Sequence, residues 1–507
     1  MRGDTHRRMG TLALGAVFIL LLASGCAPPT PEKTELVIAH KGLPLTLMPH
    51  TREEVITTSV LMNMFESLAG FDADMKITPL LAVSWENPDD LTWLFKIRSR
   101  VRFHDGSPLT ADDVVYSLER ARSHPTSALK SNCSTIASIT RVGDDTVKVV
   151  TAQPSPILLH KLTNAFILPR RQLEQAGPEA FARQPVGTGP YRFESVTGEA
   201  VRLTAWDAYW GGAPVFPRLT VTRYTSPTEA VQMLLDGRAD IVTDISPELA
   251  RDIERNPQQK NMIQNRPGMA IRQLVMDTTR PPFNWREVRE AVALAIDRHR
   301  LVDRILLGFG QPANQMVPHA VFGFHPSLPD IPYDPDKARA LLARAGHPKG
   351  LTLTLMMSGV RARLGEELQR QMAPAGIRLE LDIRDRQSFW AAADTAPFWL
   401  AGFNSTSGDA SDLMDDLFHT TTGVYGRDNR GRYSNPSVDR MIETLGGLLN
   451  QPQRLHTMQR LMVMIMQDMP RVPLFVEDEI YGVSPAVAWK PRLDMRVLAK
   501  EVRRPAP

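Results

Sequence analysis

The sequence predicts an α/β fold, and three observations carry that prediction. Stretches such as Leu91–Ile97 and Thr146–Thr151 alternate with a period of two, the pattern of half-buried strands. Twice a helical stretch is stopped by glycine and followed at once by an apolar strand. These units are Thr228–Leu235, Gly237, Ala239–Ile245 and Glu366–Ala375, Gly376, Ile377–Ile383. Finally, 507 residues at 43% hydrophobic and 23% charged give an ordinary globular balance, with length for two or three lobes. The 40 prolines point to many loops and extended segments rather than a helical bundle.

Charge narrows the partners. The formal net charge is +3, and residues 1–25 carry Arg2, Arg7 and Arg8 against Asp4, which leaves +1 from Cys26 onward. That balance lacks the concentrated basic footprint of a nucleic-acid binder, so no nucleic acid is expected.

In chain order, residues 1–25 read as a secretory signal: Arg7-Arg8 supply the basic region and Leu12–Ala23 an apolar core too short to span a bilayer. The same Arg7-Arg8 pair also fits a twin-arginine signal. The segment ends in Leu22-Ala23-Ser24-Gly25-Cys26, similar to a bacterial lipobox with Ala23 in the usual leucine place. This implies a lipidated Cys26, with residues 26–34 a Pro-rich linker lifting the domain off the membrane. With Cys26 consumed, Cys133 is left as an inert, partly buried thiol.

Glu35–Ala39 begins the first strand. In Leu91–Arg120, Trp93, Phe95 and Ile97 share one face, Val101–Phe103 forms a second short run, and Asp105-Gly106 makes a turn. Thr110 then caps a helix Ala111–Arg120 with Asp113 at its third position, a capping box. Pro185–Tyr191 opens a strand, Tyr191–Val196, rather than a helix, so its glycines read as a structural turn and not a phosphate cradle. Further on, Asn284 is placed to cap a long helix with Val288, Ala291, Val292, Ala295 and Ile296 on one stripe. Asp334-Pro335 starts another helix, ended by Gly346. Leu455–Met469 is a Met-rich helix whose spacing favours a deformable core over metal binding. Val472–Val476 reads as a strand, and Arg496–Pro507 as a charged tail.

As a string, Leu91–Arg120 resembles the signature segment of the family 5 extracellular solute-binding proteins, the peptide and nickel receptors of ABC importers. Asn63–Leu68, Phe71-Asp72, Pro79–Ala82, Ser84-Trp85, Pro185–Tyr191, Trp206 and Tyr209–Gly212 continue the likeness over most of the chain. The resemblance implies a periplasmic-binding-protein-like (type II) architecture: two lobes joined by two crossing strands, near Gln273–Asp277 and Pro470–Val476, plus an inserted third lobe. On that pattern residues 35–48, 166–273 and 474–507 form one lobe, 49–165 the insertion and 274–473 the last lobe. The implied function is capture of an extracytoplasmic solute, peptide or peptide-like, between the lobes and its delivery to an ABC permease whose partner ATPase hydrolyses ATP. A monomer without cofactor, held to the membrane only through its lipid, is expected. A receptor for an opine, sugar or metal complex is the alternative, because one scaffold hosts many solutes.

Enzymatic motifs are missing: there is no GxSxG, HExxH or GxxxxGK[ST]. A secreted hydrolase with an unrecognised site is the remote alternative, and no catalytic residue or metal site is expected. His104-Asp105-Gly106 lacks partner ligands at metal spacing, and Asp412, Asp415 and Asp416 read as a solvated helix face.

The candidate ligand-binding residues are Phe403, Asn404, Thr406, Asp409 and Arg361. Dipeptide receptors of the family carry Gly-Trp-x-Gly-Asp-x-Gly-Asp where this chain has Gly402-Phe403-Asn404-Ser405-Thr406-Ser407-Gly408-Asp409. Phe403 replaces the tryptophan, and Thr406 stands where the aspartate pairs with the peptide's ammonium. A threonine accepts a hydrogen bond but neutralises no charge. Either Asp409 or Asp412 takes over that role, or the ligand is not a free-amine peptide. Arg361 ends Met357–Arg361, shorter than the loop that covers the ligand's far end in relatives, and reads as an anion contact or as an exposed surface arginine.

Overall fold

The computed structural model describes residues 33–506. The leader 1–25, Cys26 and the linker up to residue 32 lie outside the described residues. An eleven-stranded sheet organises the rest. Its order from one edge is Tyr191–Val196, Ala200–Ala205, Arg218–Arg223, Glu35–His40, Ile241–Val242, Arg471–Val483, Ile263–Met276, Phe398–Asn404, Leu351–Ser358 and Ile377–Arg384, with Gly310–Pro312 paired off the path. The two helix–glycine–strand units serve its parallel pairs, which need a crossover. Ser226 caps the helix Pro227–Leu235 by accepting from Glu229 N–H at 3.1 Å, and Gly237 leaves it at φ +70°. The helix Ala362–Met372 ends through a short turn in Gly376 at φ +76°, next to the strand Ile377–Arg384.

Two long strands, Ile263–Met276 and Arg471–Val483, run through the middle of this sheet and hold its two halves together. They pair antiparallel from Ile263 opposite Gly482 to Val275 opposite Arg471. The register breaks between Pro267 and Ile271 and again between Arg272 and Gln273. At the first break a Cβ on Gly268 would lie 2.8 Å from the Glu477 carbonyl oxygen, so only glycine lets the backbones meet.

A separate antiparallel sheet, Ala82–Asp89, Thr92–Ile97, Thr146–Thr151 and Ile136–Arg141 in that spatial order, carries the inserted lobe. The helix Ala111–Ser123 packs on it through Val114 and Leu118, both fully buried. Its capping box is present: Asp113 N–H donates to Thr110 Oγ1 at 3.3 Å, and Thr110 N–H donates to Asp113 Oδ2 at 2.9 Å. Cys133 lies inside this core, where burial pushes its thiol up to about 12.

Several elements differ from the sequence reading. The helix after Pro282 begins at Arg286, with Trp285 and not Asn284 at its cap: the Trp285 carbonyl accepts from Arg289 N–H, while Asn284 N–H closes a turn onto the Arg280 carbonyl. It stops at Leu294, and Asp297 caps a second helix, Arg298–Ile305. The Met-rich helix runs from Gln451 to Asp468, and its Met458, Met462 and Ile465 are fully buried in the largest core. The helix Val55–Met64, drawn within the insertion above, packs Val60, Leu61 and Met64 beside Leu36 and Tyr191 of the main sheet.

The C-terminal stretch is no free tail. Arg492 is 1% exposed, donates to Asp494 and Glu501, and also donates to the carbonyls of Phe71 and Asp72. Ser59 Oγ and Asn63 Oδ1 accept from the backbone N–H groups of Val497 and Ala499.

Candidate functional site

The strand Phe398–Asn404 ends in a tight loop, and that loop forms one wall of a cavity of about 310 Å³. Ser405 N–H donates to the Met269 carbonyl at 3.1 Å, and Gly408 N–H to the Ser405 carbonyl at 3.0 Å. Gly408 takes φ +71°, a conformation that a side chain would strain. Asp409 then caps the helix Ala410–Leu417, accepting from Ser411 N–H at 2.9 Å. Phe403, Asn404, Ser405, Thr406 and Ser407 face the cavity from here, joined by Asp412 and Asp416 from the helix and by Arg427.

The other walls come from distant parts of the chain. The insertion and its approach supply Glu53, Val55, Met75, Ser131, Asn132, His160, Lys161, Thr163 and Asn164. Met269 of the first long strand and Leu493–Arg496 close the remaining side.

Most charges around the cavity are satisfied by the chain itself. Glu53 Oε1 accepts from Asn132 Nδ2 at 3.1 Å and from Asn164 Nδ2 at 3.2 Å, and burial raises its carboxyl above the ordinary range. Arg496 lies 3.5 Å from Asp494 and donates to Asn164 Oδ1 at 3.2 Å. Arg427 pairs with Asp416 at 3.1 Å. Asp415, next to them, is pushed up to about 7 by burial and then by the Asp412 charge. This corrects the reading of Asp412, Asp415 and Asp416 as a solvated face: two of them line the cavity and the third is largely withdrawn from water.

Three polar atoms around the cavity have no partner. Asn404 Oδ1, Ser405 Oγ and His160 Nδ1 are buried and make no hydrogen bond, and Ser405 is only 2% exposed. Burial holds His160 below its ordinary pKa, which favours the neutral ring. Buried polar groups are nearly always paired, so Asn404, Ser405 and His160 are each a cavity-lining residue with one atom that the chain leaves unsatisfied.

Two of the expected site residues do not line the cavity. Asp409 is 1% exposed and forms a bidentate pair with Arg454, Nη2 donating to Oδ1 at 2.7 Å. It has no free oxygen to offer a ligand's ammonium. Arg361 engages Glu477 on the second long strand with both terminal nitrogens, and Arg272 Nη2 reaches the same carboxylate at 2.7 Å. Burial opposes ionisation of Glu477, and these two guanidinium groups hold its carboxyl below the ordinary range all the same. The residues that sequence reasoning passed over, Glu53, Asn132, His160, Lys161, Asn164 and Asp494, are isolated polar positions with no motif around them.

The Pro185–Tyr191 motif does other work. A Cβ on Gly187 would lie 2.0 Å from the Met64 carbonyl oxygen and one on Gly189 2.6 Å from the Met64 carbonyl carbon. His104 pins this turn: its Nε2 lies 3.0 Å from the Gly189 carbonyl, while Gly187 N–H donates to its Nδ1 at 3.2 Å. Beneath lies Glu66, 3% exposed, which accepts from Tyr209 at 2.7 Å, Trp210 at 2.9 Å and Thr188 at 3.0 Å. The aromatic cluster therefore packs around a buried carboxyl and is no exposed platform.

Residues 76–424 match the family model described as bacterial extracellular solute-binding proteins, family 5 Middle. The chain is similar to a glutathione-binding protein GsiB of Pectobacterium atrosepticum, 30% identical over 82% of this chain and 84% of that one. It is also similar to GsiB of Escherichia coli strain K12, 29% identical over 93% of each. Among solved structures, HbpA2 from Haemophilus parasuis superposes with a TM-score of 0.85 at 24% identity, over 93% of this chain and 100% of that one. That last likeness establishes the fold.

Proposed function

Because this chain belongs to family 5 of the bacterial extracellular solute-binding proteins, we propose that it captures a peptide-like solute in the cavity between its lobes and hands it to an ABC permease. The observation that carries this reading is the cavity itself: it is walled by the insertion, the main sheet and the loop Asn404–Ser407, with Asn404, Ser405 and His160 each presenting an unpartnered buried atom. Its size suits a few residues of peptide, and polar orientation inside a partly apolar pocket is how small-molecule sites gain specificity. The glutathione-binding relatives add weight to a peptide-like ligand.

The mechanism is hinge closure. The broken register at Gly268–Ala270 gives the long strands a natural flexing point, and a ligand touching both sides favours the closed state by its differential contacts. No bond is made or broken; ATP hydrolysis belongs to the importer's ATPase subunits. Adding glutathione or the solute released from purified protein, whichever binds, reduces the radius of gyration in small-angle scattering. A saturating ligand that leaves the profile unchanged contradicts closure.

Attachment through Cys26 completes the proposal. No helix among the described residues is long and apolar enough to cross a membrane. Cys26→Ser moves the protein from the detergent phase to the soluble fraction if the lipid is the anchor. Unchanged partitioning removes that part of the account.

A further inference from the structure

The helix Pro247–Glu254, which precedes the first long strand, touches both halves of the main sheet. Ala250 on its buried side packs with Ala39, Val242 and Ile480, in the half that carries Glu35–His40. Its outer side meets the half that the chain enters after the long strand. Glu248 accepts from Arg363 Nη1 at 2.9 Å, on the first turn of the helix Ala362–Met372. Arg251, three residues on and so on the same side as Glu248, donates through Nε and Nη2 to the Leu307 carbonyl at 2.9 and 2.6 Å. There the chain changes cores within three residues: Leu306 belongs to the core of the far half, and Phe309, 4% exposed, to that of the near half. The Arg251 guanidinium lies 4.8 Å from the Phe309 ring. A buried hook and an exposed ion pair thus join the halves in addition to the two long strands.

Strand alternation places these contacts relative to the cavity. Ala39, Val242 and Ile480, under the helix, alternate with Ile38, Ile241 and Tyr481, which pack on the opposite face with Val60, Leu61 and Met64. Those last three belong to the helix Val55–Met64, whose first residue lines the cavity. The helix Pro247–Glu254 and this wall of the cavity therefore sit on opposite faces of one sheet. A rotation about the long strands that brings the cavity walls together on one face parts groups on the other. Phe309 moves least, because the next residue, Gly310, pairs with Glu477 beside the broken register.

We propose that Phe309 is the pivot of closure and the Glu248–Arg363 pair a latch that parts when the cavity closes, so that Arg363 is a positioning residue that sets solute affinity without touching solute. This rests on the hinge-closure reading and deepens it. The two side chains are 50% and 65% exposed, which gives the latch the weight of a surface pair. Releasing it tightens binding about two- to fivefold.

The test is a distance that needs no solute: electron–electron double resonance between spin labels on Arg52→Cys and Val424→Cys in the full chain carrying Cys26→Ser. Both positions are exposed and neighbour residues of different cavity walls, Glu53 and Arg427, while Cys133 is buried and inert to the label. Arg363→Glu sets like charges face to face and keeps a residue that suits a helix start, and the distance shortens. Glu248→Gln shortens it less, and adding Arg363→Glu to Glu248→Gln changes nothing further, as a direct pair requires. Arg363→Lys keeps the wild-type distance. Raising salt from about 0.05 M to about 0.5 M shortens the distance in wild type but not in Glu248→Gln. Glutathione, titrated by calorimetry, binds Arg363→Glu about two- to fivefold more tightly than wild type; if it binds neither, the distances alone decide. Equal distances in wild type and Arg363→Glu overturn the inference, as does a longer one, or an effect of Arg363→Glu that persists beside Glu248→Gln. Glutathione binding to wild type with no change in distance counts instead against hinge closure itself.

Discussion

Two stretches set against the family pattern, Pro185–Tyr191 and Gly402–Asp409, end in opposite physical states. Under the first, the buried carboxyl of Glu66 meets donors from Thr188, Tyr209 and Trp210, and His104 fastens the turn above it. In the second, Asp409 is fully matched by Arg454 and Ser411, but the residues before it leave Asn404 Oδ1 and Ser405 Oγ without partners. The first follows the family pattern, whereas the second departs from it at Phe403 and Thr406. What separates a structural motif from a binding motif is whether the chain satisfies its own polar groups.

The largest effect that bears on this contrast comes from Arg454→Met. It leaves Asp409 buried without its counter-charge, and stability should fall by about 3–5 kcal/mol in urea titration. A loss below ~1 kcal/mol would mean the loop is not anchored there. Gly187→Ala comes next: its Cβ meets the backbone of Met64, which no rotamer change relieves, and about 1–3 kcal/mol should be lost without a direct effect on ligand affinity.

Asp415 gives a pH-dependent variant of the same comparison. Its folded value near 7 lies above the ordinary 3.8, so the native state holds the proton more tightly than the unfolded chain does across that window. Stability therefore declines as pH rises through it and is lowest above it. Asp415→Asn removes the penalty, and its melting temperature should exceed wild type near pH 8 by an amount worth at least ~1 kcal/mol. The two proteins should converge as pH falls toward 4. A constant difference across that range would contradict the assignment.

The smallest stability effect belongs to Ser405→Ala. Its hydroxyl has no partner in this structure, so removal should change the unfolding free energy by less than ~0.5 kcal/mol. Ligand affinity should still drop about tenfold, the worth of one hydrogen bond. A clear destabilisation with unaltered binding would reverse the contrast between the two motifs.

Legibility in the sequence followed the range of the interactions. The capping box at Thr110, the glycine stops at Gly237 and Gly376 and the strand Thr146–Thr151 are local, and their residue types dictate them within a few positions. The cavity wall at Phe403, Asn404 and Thr406 was reached through resemblance. The opposite wall was not, because Glu53, His160, Lys161 and Arg496 are brought together by chain crossings hundreds of residues long. Asp409 and Arg361 show the same limit from the other side: Arg454 and Glu477, which occupy them, lie far along the chain. At the helix start the sequence offers Asn284 as the cap, and the structure uses Trp285, one residue later and without a side-chain cap bond.

Hydrogen-exchange mass spectrometry with and without the solute recovered from the purified protein tests the contrast most directly. The account predicts new protection at residues 403–412 and 160–164 and none at 185–191, whose polar groups are already satisfied. Protection confined to 185–191, or a bound solute that leaves 403–412 exchanging as before, would contradict it.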